Sequence, residues 1–196
     1  MSTNRAGLFT RLRQAVQPER PARQTQIAKL EGPKMLISMH IPEGTPEAGV
    51  FQQVERSAIM RGTALLIMRE KSGDFGDFDS LMGKVNSQGR SLQRFILMGG
   101  GVKSCLLQAF SLIIKLKPAQ NNAALEFYIP FDGVYDHLES ASRVPFYLRC
   151  YKQEAERLGV SAAVWLDDKP LAPMPAAPQI RIRLYSSADK MISAIT

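Results

Sequence analysis

Cysteine, histidine and tryptophan are scarce in this chain of 196 residues, with two, two and one copies. Cys105 and Cys150 each lie inside an apolar run without paired spacing. With no signal-peptide pattern at the N-terminus, they read as reduced core residues of an intracellular protein rather than a disulfide framework. His40 and His137 have no cysteine near them in sequence, so no metal-ligand cluster of usable spacing is present, and nothing frames a Ser/His/Asp or Cys/His site. No run of about 18 apolar residues occurs, because Lys103, Lys115 and Lys117 interrupt the best candidate. The chain is therefore not expected to span a bilayer, although it can lie against one. Trp165 stands alone, and the tyrosines and phenylalanines do not interleave with arginine as a base-stacking platform requires, which argues against sequence-specific nucleic-acid recognition.

The sharpest deficit is of acid in the middle of the chain. From Ser80 to Leu125 there is no Asp or Glu, against Lys84, Arg90, Arg94, Lys103, Lys115 and Lys117. The same stretch is strongly apolar on both sides of Gly99-Gly100-Gly101. A second cationic region precedes it: Arg5, Arg11, Arg13, Arg20, Arg23, Lys29 and Lys34 face only Glu19 and Glu31. The formal charge of +7 thus resides in an N-terminal arm and a central band, and the rest of the chain is net acidic. Such a layout favours a polyanion or an acidic membrane surface, bound through phosphates without base readout.

With 45% hydrophobic residues the chain has material for one globular domain, residues 34–196, preceded by an arm, residues 1–33. The arm spaces Arg, Gln and Thr with Pro18, Pro21 and Pro33, and its only strong apolar group is Gly7-Leu8-Phe9 with Leu12. It cannot bury enough apolar area to offset chain entropy and is expected to be disordered. Lys34–Ile41 alternates as a strand, residues 50–60 suit either a short helix or a partly ordered crossing, and Thr63–Met68 is an apolar run of strand length. Asp79 or Ser80 can cap a helix with apolar positions at Leu81, Val85, Leu92, Phe95 and Ile96, and the triple glycine then turns the chain into a second helix near Val102. Ala123–Pro130, Ser161–Leu166 and Gln179–Tyr185 read as strands, the last with Arg181 and Arg183 on its outer face. Residues around Pro145–Lys152 suit either a helix or a strand. The sum is an α+β fold with two or three helices packed on a largely antiparallel sheet.

Little in the chain points to catalysis. Gly99–Ser104 invites a phosphate-loop reading, but Val102 separates the last glycine from Lys103, and the expected lead-in is a helix where that loop needs a strand. Asp167-Asp168 could be a carboxylate pair, but adjacent residues after a strand diverge, and a turn accounts for them. The chain is read as a non-enzyme without catalytic residues, metal or cofactor.

At Pro145-Phe146-Tyr147-Leu148-Arg149-Cys150-Tyr151-Lys152 the chain resembles the matrix proteins of rhabdoviruses, especially the vesiculovirus type, which carry a similar Pro-Phe and Tyr-Lys at that separation. Asp167-Asp168, Leu171 and Ala172-Pro173-Met174 resemble a following segment of that family, and Phe127-Tyr128-Ile129-Pro130 its aromatic-aliphatic-Pro strand end. The likeness covers Thr63 to about Tyr185. It implies a structural matrix protein that binds acidic membrane and viral ribonucleoprotein, forms homo-oligomers and drives virion assembly and budding. The implied locations are the virion, the host cytoplasm, the inner face of the host plasma membrane and the host nucleus. The arm cations Arg5, Arg11, Arg13, Arg20, Arg23 and Lys29 would contact lipid, and host budding machinery would be a further partner. The Pro-Pro-x-Tyr and Pro-Ser/Thr-Ala-Pro motifs are absent, and only Tyr135-Asp136-His137-Leu138 has the form of a Tyr-x-x-Leu motif. The family's acidic segment for blocking nuclear export is also missing. The alternative reading is a small basic nucleic-acid-binding regulator of cellular or plasmid origin.

Overall fold

The computed structural model describes residues 34–195 apart from 40, 42, 61–64, 70–77, 88–91, 118–123, 137 and 172; the side chains of 59, 65–69, 78–80, 84 and 140 also lie outside the description. The arm of residues 1–33 is thus outside it. Its strands are β1 (Lys34–Met39), β2 (Leu65–Arg69), β3 (Arg94–Gly99), β4 (Leu125–Pro130), β5 (Ala162–Leu166), β6 (Lys169–Pro170) and β7 (Ile180–Tyr185). They form one sheet in the order β2-β1-β3-β4-β7-β5-β6. Every pairing is parallel except that of β5 with the two-residue β6.

The chain mixes helix and strand as expected of an α+β protein, but the sheet is mostly parallel, which corrects the expectation of a largely antiparallel one. Parallel neighbours need a crossover, and helices supply most of them here. The helices are α1 (Pro46–Met60), α2 (Phe78–Ser87), α3 (Cys105–Leu116), α4 (Ser140–Tyr147), α5 (Gln153–Arg157) and α6 (Ala188–Ile195). A π-helical turn, Leu148–Lys152, fuses α4 and α5 into one rod. There are more helices than the two or three expected, and α6 is one that the sequence pattern did not announce.

Both faces of the sheet are covered. Odd-numbered residues of β1, β3 and β4, with Ile180, Ile182 and Leu184 of β7, pack under α2, α3 and the α4–α5 rod, where Phe110, Phe127 and Tyr151 meet ring to ring. The opposite face, with Leu36, Ile96, Met98, Tyr128 and Tyr185, lies under α1 and α6. Two-sided burial explains the one large misreading. Phe95 to Met98 are all fully buried, so β3 lacks the period-2 alternation that marks a half-exposed strand, and its apolar spacing mimics a continuing helix.

β3 also changes the meaning of the triple glycine. It is the turn from a strand into α3 and not an inter-helix turn. Gly99 and Gly100 have φ of 73° and 54°, in the region glycine tolerates best. A Cβ at Gly99 would stand 2.5 Å from the Met39 carbonyl oxygen and closer still to Ile41. The glycines therefore let the loop close against the end of β1. Asp167 and Asp168, at φ 46° and 62°, form the two-residue hairpin turn between β5 and β6, as the turn reading of that pair expects.

Candidate polyanion-binding surface

Because six strands run the same way, their amino ends share one edge, and the register there lines up charge. Lys34 of β1 is level with Arg94 of β3, Arg94 with Glu126 of β4, and Glu126 with Arg181 of β7. Period-2 alternation puts all four on the α1–α6 face. The Glu126 carboxylate accepts from Arg181 Nη1 at 2.9 Å and from the Tyr128 hydroxyl at 2.6 Å, and lies 3.5 Å from Arg94 Nε. Burial pushes the Glu126 carboxyl up, but the bonds from Tyr128 and Arg181 and the charges of Arg183 and Arg181 outweigh it, so it sits below the ordinary value. Burial, then the charge of Arg94, lowers the Lys34 ammonium against an opposing pull from Glu126.

The helices return to the same edge. The last turn of α3 carries exposed Lys115, with half-buried Lys117 just after it; burial lowers the Lys117 ammonium. The last turn of α5 carries exposed Arg157. Among the described residues in these last turns and at the strand starts, Lys34, Arg94, Lys115, Lys117, Arg157 and Arg181 face Glu126, Glu154 and Glu156. Met60, at the end of α1, is 80% exposed beside the start of β2. Lys34, the first described residue, opens β1 at this edge. At the carboxyl-end edge the acids are paired by contrast, Asp136 with Arg143, Asp168 with Arg183 and Asp167 with Lys190.

The predicted cations are thus only partly brought together. Arg94, Lys115 and Lys117 share the amino-end edge. Lys103 stands at the opposite end of α3, its ammonium 4.9 Å from the centre of the Phe146 ring. Arg5, Arg11, Arg13, Arg20, Arg23, Lys29 and Arg90 lie outside the described residues, as does the Lys84 side chain. Sequence reasoning left out Arg157, Arg181 and Met60 as members of the edge. The alternation of Arg181 with Ile180 and Ile182 was the available signal for one of them; nothing local marked the other two.

A cleft of about 420 Å³ runs between α3 and α5. Lys103, Leu107, Ser111 and Lys115 lie four residues apart along one wall, and Glu154 and Arg157 form the other. Ser111 donates to Glu154 at 2.5 Å, and Arg157 makes two bonds of 2.6 and 2.7 Å to the same carboxylate. The Arg157 bonds, with that of Ser111, hold Glu154 below the ordinary carboxylate value in spite of partial burial.

The strand, glycine turn and helix around Gly99 occur in the order a phosphate loop needs, and they meet the sheet between β1 and β3, where the connections change direction. The turn, however, is folded on itself. The Gly101 carbonyl accepts from the Ser104 and Leu106 amides at 3.0 and 3.4 Å, and the Ser104 hydroxyl donates to it at 3.2 Å. Asp136, at the same end, is held by Arg143 at 3.0 Å and by the Tyr147 hydroxyl at 2.7 Å. Among the described residues no three His, Cys, Asp or Glu side chains gather as a metal would require, and no helix is long and apolar enough to cross a membrane. No protein-family model, curated protein or solved structure matches this chain.

Proposed function

We propose that the chain is a non-enzymatic structural protein of the viral matrix kind. It binds acidic membrane and viral ribonucleoprotein, self-associates and takes part in virion assembly and budding. The polyanion part of this reading rests on one observation: the basic amino-end edge, which β1 enters at Lys34 and on which Arg94 and Arg181 flank Glu126, with exposed Met60 ending α1. The viral part rests on the sequence resemblance around Pro145–Lys152. Cations beside an exposed apolar side chain suit a lipid interface, where charges meet headgroups and the thioether enters the boundary. Near an acidic leaflet each net cation contributes about 1 kcal/mol, so the described edge and the arm supply several kcal/mol between them. On this reading the protein works in the host cytoplasm, at the inner face of the plasma membrane and in the virion.

The test is sedimentation of the full-length protein with vesicles containing phosphatidylserine. Binding should fall steeply with salt, and replacing Arg5, Arg11, Arg13, Arg20, Arg23 and Lys29 by Gln should weaken it by about 100-fold or more. Absent or salt-independent binding would sink the membrane part. The competing reading, a small basic nucleic-acid-binding regulator, uses the same cations; base-dependent affinity for a duplex in a gel-shift assay would favour it over length-dependent, sequence-blind binding.

A further inference from the structure

The outer edge of β5 is only half covered. At its two ends the Ser161 carbonyl accepts from the Ile180 amide and the Asp167 amide donates to the Leu184 carbonyl, each at 3.0 Å. In a parallel ladder the odd positions of β5 therefore bond to β7, and the even ones turn their amides and carbonyls outward. On that outer side β6 pairs with Trp165 and Leu166, and the Leu171 amide donates to the Val164 carbonyl at 3.0 Å. Carried on from Trp165 and Pro170, the same register brings Pro173 level with Ala162. Proline has no N–H to give the Ala162 carbonyl, and the covering strand stops short. Among the described residues the outward amide and carbonyl of Ala162 have no partner. A cleft of about 330 Å³ opens there, between β5 and the π-helical turn Leu148–Lys152. Its floor at Ala162 is a single methyl, and its far wall carries Arg149, Lys152 and Glu156, none of which makes an ion pair among the described residues. Widened turns of this kind are frequent at functional sites, and this one faces the uncovered strand.

We propose that this cleft takes an extended, acidic segment of a partner protein, which adds a strand to β5 in line with β6. Ala162 then forms both of its outward hydrogen bonds with the segment, the main-chain recognition that an open sheet edge offers. Alternate side chains of the added strand point under the rod, where the methyl floor leaves room. A carboxylate among them meets Arg149 and Lys152. Glu156 lies farther along the rod toward the amino-end edge and disfavours acid there, so charge sets the direction of the segment. The arm of residues 1–33 is net basic and has the wrong sign for this wall. Phosphates accept hydrogen bonds but do not donate them, so a lipid or nucleic-acid phosphate leaves the Ala162 carbonyl unpaired. The proposal does not rest on the polyanion reading, since neither Arg149 nor Lys152 lies in the last turns that form the basic edge.

The test uses the full-length protein and a fluorescein-labelled synthetic peptide of about eight residues, alternating Thr and Val with one glutamate toward an end. The control is the same peptide N-methylated at alternate amides, which cannot join a ladder. Saturable binding of the unmodified peptide is expected in fluorescence anisotropy. Ala162→Pro removes the outward amide, a change that edge strands tolerate. It should weaken binding by about 10-fold or more and leave sedimentation with phosphatidylserine vesicles unchanged, which separates this site from the basic edge. Lys152→Glu should weaken binding by about the same factor, and a peptide with Lys in place of its glutamate should recover it. Lys152 is carried by the rod, so its variant remains decisive even if Ala162→Pro disturbs β5. No saturable binding, equal binding of the N-methylated peptide, or an affinity indifferent to Lys152→Glu would overturn the proposal. So would displacement of the peptide by a synthetic copy of residues 1–33, which would give the edge to the chain's own arm.

Discussion

Replacing Glu126 with Gln probes the charged row beneath the sheet. The carboxylate is 5% exposed and takes one bond from Arg181, one from Tyr128 and the charge of Arg94. Gln keeps the shape but removes the charge and turns half of the acceptor into a donor, facing Arg94 and Lys34 with no anion between them. Removing one partner of a buried ion pair costs about 3 to 5 kcal/mol; because Arg94 and Arg181 retain some contact with water, a smaller loss of about 2 to 3 kcal/mol is expected. The assay is urea unfolding followed by the single tryptophan, Trp165, whose ring lies 5.1 Å from the guanidinium of Arg183 in the same sheet. The sign of the pH dependence follows from the depressed carboxyl. Its stabilisation is complete above the ordinary value of 4.5 and is lost as pH falls through the lower folded value. The gap between wild type and Glu126→Gln should therefore be widest at neutral pH and shrink in acid below 4.5. A difference under about 0.5 kcal/mol at pH 7, or a gap that widens in acid, would refute the row as a stabilising element.

Two further substitutions test the packing that holds the edge and the cleft in place. Gly99→Ala forces a side chain into a left-handed turn at φ 73° and onto the Met39 carbonyl; a loss of about 2 to 4 kcal/mol is expected in the same urea assay. Tyr151→Phe should act the other way. The Tyr151 hydroxyl is buried without a hydrogen-bond partner among the described residues, burial pushes its proton affinity well up, and deleting it should be neutral or stabilising by about 1 kcal/mol. Destabilisation by more than that in thermal unfolding would mean the hydroxyl has a partner.

Local pattern carried a good part of the architecture. β1, β4, β5 and β7 were legible because their apolar runs are of strand length and end at Pro42, Pro130, Asp167-Asp168 and Ser186. α1 and α3 were legible from apolar residues at helical spacing. α6 went unseen although Ala188, Met191, Ile192 and Ile195 form an apolar stripe. Its first amide is satisfied by Asp132, 56 positions away in sequence, while the local signal, Ser187 accepting from the Lys190 amide at 3.4 Å, was passed over. The π-helical turn at Leu148–Lys152 explains why Pro145–Lys152 suited helix and strand equally, since a widened turn breaks the 3.6-residue period.

By itself the sequence determined that cations concentrate in an arm and a middle band, that the chain can bury a core, and that its helices and strands alternate over most of its length. Those are properties of composition and near-neighbour spacing. Which cations act together was decided only by the tertiary structure. Arg94 and Arg181 lie 87 positions apart in the chain yet flank one carboxylate, because parallel crossovers return every strand to the same starting edge. Lys103 and Lys115 belong to one short segment, yet stand at opposite ends of the fold because α3 runs its full height. Register and strand direction are set by packing between distant segments, and local spacing carries no record of them.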